Sequence, residues 1–165
     1  MIDITQAKSL KPTDLKLGEL IYREDDGDWK LCLTIQPIDK TDRASGTFEG
    51  VQFVHPSHHA PVNVTISAQD RLLRVGAARV MCEIGKNSLG RGSGPYTVTP
   101  GDIVIHDSGT AICLAVGVGR HALVSLTGEV IDNGILRPIL VHKWEIGVTR
   151  DGRFEPLHNY APPQR

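Results

Sequence analysis

Two stretches of this chain, residues 17–35 and 99–116, repeat one pattern. Each has a glycine, an acid and then three mostly apolar residues: Gly18-Glu19-Leu20-Ile21-Tyr22 and Gly101-Asp102-Ile103-Val104-Ile105. A turn holding Asp and Gly follows. A second apolar run then centres on a cysteine, Leu31-Cys32-Leu33-Thr34-Ile35 in one case and Ile112-Cys113-Leu114-Ala115-Val116 in the other. Trp29, Leu31, Leu33 and Ile35 fall on one side of an alternating pattern, with Lys30, Cys32 and Thr34 on the other. Period two is the mark of a strand with one face buried. The pattern predicts a β-hairpin used twice.

Further matches follow in the same order. The run Gly50-Val51-Gln52-Phe53-Val54 aligns with Ala122-Leu123-Val124-Ser125-Leu126. Leu73-Arg74 followed by Glu83-Ile84-Gly85 aligns with Leu136-Arg137 followed by Glu145-Ile146-Gly147. Short strands with frequent turns and no sustained helical period predict an all-β fold. The expected architecture is two tandem small antiparallel barrels of the SH3 type, arising from internal duplication and packed together. The first barrel, with an N-terminal extension, takes residues 1–85. A Gly/Ser-rich linker takes 86–95, the second barrel 96–150, and a surface tail 151–165. Opposite Ile112, Leu114 and Val116 stand Ala111, Cys113 and Ala115, so the second hairpin is expected to be apolar on both faces. Its small face is expected at the contact between the copies. The Leu20, Leu31, Leu33 and Ile35 set and its counterpart Ile103, Ile112, Leu114 and Val116 are expected inside each barrel.

A chain of 165 residues with a net charge of −1 is long enough to bury a core and lacks the basic excess of a dedicated DNA binder. Three widely spaced cysteines among strand residues read as buried hydrophobes, not as a disulfide framework or zinc site. No apolar run reaches the length of a membrane span, and no signal core opens the chain. The expected location is the cytoplasm, with no membrane partner.

Candidate sites are few. His55, His58 and His59 carry the residue type that most often binds transition metals, but no acid or cysteine at close spacing completes a ligand set. Residues 85–94 are glycine-rich with Lys86 and Arg91, yet the phosphate-loop pattern fails. His106-Asp107-Ser108 are consecutive, so their side chains diverge and cannot form a triad. A macromolecule-binding surface is expected from Arg71, Arg74 and Arg79, joined by Lys40 and Arg43 of the polar 36–49 loop.

The functional expectation is therefore a non-catalytic, cytoplasmic protein that binds another macromolecule, a protein partner first, or assembles with itself, with no cofactor. The alternatives are a nucleic-acid-binding module on the Arg71, Arg74 and Arg79 face, and a metal-assisted enzyme centred on His55, His58 and His59.

Overall fold

The computed structural model describes residues 9–42, 47–54, 59–82, 98–107, 109–117, 119–131 and 139–161. Among them the fold is all-β, with one 3-10 turn at Pro12–Asp14. The strands of the first half are β1 (Ser9–Leu10), β2 (Glu19–Asp25), β3 (Asp28–Ile35), β4 (Glu49–Gln52), β5 (Val62–Thr65), β6 (Leu72–Ala77) and β7 (Arg79–Cys82). Those of the second are β8 (Ile103–His106), β9 (Gly109–Gly117), β10 (Arg120–Ser125), β11 (Val130–Ile131), β12 (Ile139–Val141), β13 (Trp144–Arg150) and β14 (Arg153–Tyr160).

Both expected hairpins form. β2 pairs with β3, and β8 with β9, each antiparallel. Around them the strand order is the same in each half: β6-β2-β3-β4-β5 and β12-β8-β9-β10-β11. The two runs join through one parallel contact, Val62 opposite Ala115, into an eleven-stranded sheet. A second sheet has the order β14-β13-β7. No closed barrel is found among the described residues: no pairing links the last strand of either run back to its first.

The hydrogen bonds recur with the pairing. Gly18 N donates to Thr34 O at 2.9 Å, and Gly101 N to Cys113 O at 2.8 Å. Two residues further along, Gln36 N donates to Gly128 O at 2.8 Å and Ala115 N to Pro61 O at 3.2 Å. Each half thus gives the other one such bond at the same place. The register also corrects the sequence alignment. Ile21 stands opposite Cys32, but Val104 stands opposite Ala111, so Ala111, and not Cys113, occupies the position of Cys32. The second hairpin is shorter, and the slip of two residues preserves which face each side chain takes. Val51 pairs with Leu33 and Val124 with Ile112, so Val51 answers to Val124. The Leu136-Arg137 match lies outside the described residues.

The cores reverse the expected assignment. Leu20, Leu33, Ile35 and Val51 form one cluster with Ile103, Ile112, Leu114, Val124 and Ile146, a layer shared by both halves. Ile21, Cys32, Ile66 and Leu72 fill the first half's own interior. Val104, Ala111 and Leu140 fill the second's. Ala111 therefore lies inside its own half, and Ala115 is only half-buried. The reason is bulk. Facing sheets sit about 10 Å apart, a gap that Leu and Ile fill and Ala cannot.

Within the segment 151–165 read as a surface tail, residues 153–160 form a strand instead. β14 pairs with β13 along its length, and Tyr160 is buried. A register shift between Ile146 and Gly147 puts Gly147 opposite Pro156. A Cβ on Gly147 would lie 1.9 Å from Glu155 O, so glycine is what allows this close approach.

Candidate functional site

The three-stranded sheet presents an aromatic group. Trp144 and Tyr160 are register partners, and their rings stack with centroids 5.1 Å apart. His158 stacks on Phe53 at 5.7 Å and lies edge-on to Trp144 at 6.2 Å. Phe53 meets Trp144 edge-on at 6.1 Å. His158 Nε2 is buried with no hydrogen-bond partner, and burial holds its pKa below the ordinary histidine value.

The turn at residues 99–102 fixes this group in place. Trp144 Nε1 donates to Gly101 O at 2.8 Å, and Tyr160 Oη to Pro100 O at 3.4 Å. Gly101 has φ of +100°, and a Cβ there would fall 1.9 Å from Tyr160 Oη. The buried Asp102 carboxylate accepts Thr99 N and Oγ1, both at 2.9 Å, and contacts His142 Nδ1 at 2.5 Å. An Asp–His pair can orient a general base. Here the neighbouring hydroxyl, Thr99 Oγ1, is itself bonded to the same carboxylate, so the pair ties the turn to the corner after β12. The first half has a similar tie: Glu19, also the residue after a glycine, pairs with Arg74 of β6 at 3.3 Å.

Two clefts lie along β7. One, of about 510 Å³, is lined by Met81 and Cys82 of β7 with Lys143, Trp144, Glu145 and Tyr160. The other, of about 430 Å³, is lined by Ala77, Arg79 and Val80 with Leu17, Leu126 and Thr127. Met81 is 54% exposed and Leu17 38%, both unusual for large apolar side chains in this protein. Among the described residues β7 pairs only with β13, so its other edge has no strand against it. Such an edge offers unpaired main-chain N–H and C=O groups. Burial raises the pKa of the Cys82 thiol, and pushes those of Cys32 and Cys113 up to about 12.

The residues singled out from sequence do not converge. Arg71 pairs with Glu24 at 2.7 Å and lies over the Trp29 ring at 5.8 Å. Arg74, besides Glu19, donates to Asp14 O at 2.8 Å. Arg79 is exposed on β7, in the other sheet, with no ion-pair partner among the described residues. Lys40 is exposed in the segment after β3, and His59 is exposed before β5. Arg43, His55 and His58 lie outside the described residues, as do Ser108 and the glycine-rich 85–94 stretch. Among the described residues no three His, Cys, Asp or Glu side chains are grouped to hold a metal, and no helix is long and apolar enough to cross a membrane. The aromatic group was missed because Pro156 breaks the strand pattern of residues 153–160. The alternation of His158 with Tyr160 was the signal that could have found it.

No family model matches the chain, and neither the curated proteins nor the solved structures compared with it give a match.

Proposed function

We propose that the chain is a non-catalytic, cytoplasmic binding protein, made of two SH3-type units that arose by duplication, and that its partner-binding surface is the groove along β7. The duplication is supported by the common strand order and by the paired bonds Gln36 N to Gly128 O and Ala115 N to Pro61 O. The three free thiols accord with a reducing compartment.

One observation supports the functional reading: two clefts, each with an exposed apolar side chain in its wall, lie along a single strand whose outer edge has no strand against it among the described residues. At the larger cleft Trp144 of β13 stands opposite Cys82 of β7 on one side and opposite Tyr160 of β14 on the other. The nucleic-acid reading has less support, because carboxylates already compensate Arg71 and Arg74. The test is a selection of binding polypeptides from a displayed random library, using the whole chain as bait. Binders should be lost with Met81→Arg and kept with Arg71→Ala. Loss with Arg71→Ala and retention with Met81→Arg would move the site to the other sheet.

A further inference from the structure

We infer that the partner of this groove is an extended peptide that adds as a strand to β7, with an acidic side chain at the Arg79 end and a large apolar side chain at the Met81 end. The inference rests on the binding reading above and adds the chemistry of the occupant.

An extended occupant follows from the strand itself. Along β7, Arg79 and Val80 line the smaller cleft and Met81 and Cys82 the larger, and these four residues span about 13 Å of strand. A ligand able to reach both must be long and narrow. The free edge asks for alternating main-chain donors and acceptors, which another strand supplies. A helix has already used its own.

The two ends differ in charge. Arg79 is the one charged residue among the described residues lining the smaller cleft, which is otherwise walled by residues such as Leu17, Val80 and Leu126. Like Arg120 and Arg153 it has no carboxylate partner among the described residues, whereas Arg23, Arg71, Arg74 and Arg150 have one; of the three, Arg79 is the one that lines a cleft on β7. An Arg exposed beside apolar surface suits an incoming carboxylate. The larger cleft holds Lys143 and Glu145, whose charges cancel, together with Met81, Trp144 and Tyr160. An aromatic or branched apolar side chain suits that end. Arg79 and Met81 are two positions apart on the same face of β7, about 7 Å of strand, so the acid and the apolar anchor should lie about two residues apart.

The test is to synthesise the peptides enriched from the displayed library and measure their binding to the whole chain by fluorescence anisotropy. Enriched sequences should share an Asp or Glu about two residues from an aromatic or branched residue. Arg79→Glu should weaken them at least about tenfold, and changing the peptide's acid to Lys should restore binding to that variant. Weakening by raised salt should be shallow, as one charge pair requires. Peptides lost with Met81→Arg but indifferent to Arg79→Glu would overturn the acidic chemistry and leave the site standing. Peptides indifferent to both changes, or no enrichment, would overturn the site as well. Concentration-dependent dimers in sedimentation that disappear with Met81→Arg would make a second copy of this chain the occupant, and the peptide assignment would be wrong.

Discussion

Cys82 stands directly opposite Trp144 in the ladder that joins the two halves. Each residue lies on the strand that follows the five-strand run of its own half, and the chain pairs these two strands with each other. With this pairing, and with the two reciprocal bonds between the halves, one buried cluster draws on both. Met81, next to Cys82 on β7, is exposed.

The first expectation concerns that interior. Leu33 and Leu114 belong to different halves but to one cluster, both fully buried. Leu33→Ala and Leu114→Ala should each cost about 2–5 kcal/mol. Each should lower a single unfolding transition seen alike by far-UV circular dichroism and tryptophan fluorescence. Two resolved transitions, with each substitution moving only one, would show that the halves have independent cores.

Gly101 is the second. Alanine there meets Tyr160 Oη and must take φ of +100°. Left-handed backbone costs about 1–2 kcal/mol, and the overlap should add about as much again. Gly27→Ala, at φ +82° with nothing within 4 Å, should lose only the first part. Urea melts of both variants check this. Equal losses would mean that Tyr160 moves aside freely.

The thiols provide a third. Cys32 and Cys113 are fully buried with pKa values pushed up to about 12, whereas Cys82 is half-exposed beside the larger cleft. Reaction follows thiolate fraction and access. Native protein should therefore titrate one fast thiol with a disulfide reagent, absent in Cys82→Ser, and three after unfolding. Fast reaction at two or three native thiols would contradict the burial.

Much of this was legible in the sequence, and the failures have physical causes. The hairpins could be read because period-two alternation survives wherever one face is buried. Their relative register could not, because a slip of two residues, as between Cys32 and Ala111, leaves the alternation unchanged. The face that joins the halves was misassigned for a related reason. Both faces of residues 111–116 are apolar, and only the width of the gap decides which lies between the halves. β14 was hidden by Pro156, which an edge strand tolerates and which the bulge at Gly147 accommodates. Of the site, only Arg79 was named from sequence. The clefts depend on Trp144, Tyr160 and Met81 meeting across three strands, a proximity that spacing along the chain does not record.

Acid should weaken the aromatic group. Burial lowers the pKa of His158 in the folded chain. The unfolded chain therefore takes up a proton first as pH falls. The stability from keeping this ring neutral is present above the unfolded value of about 6.5 and is lost progressively below it. His158→Phe keeps the stacking and removes the titration. Its stability should fall less than that of the parent between about pH 7 and about pH 5, followed by urea melts. Parallel losses would assign the acid sensitivity to other groups.

The free edge of β7 is most directly tested by amide hydrogen exchange in the whole chain. With β13 as its one partner among the described residues, Arg79–Cys82 should alternate between slow amides that face β13 and fast amides that face outward, while Glu145 and Ile146, paired on both sides, stay slow throughout. A peptide selected by the chain should slow the outward amides of β7 and few others. Uniformly slow exchange along Arg79–Cys82 in the free protein, or a selected peptide that leaves these amides unchanged, would contradict a binding edge at β7.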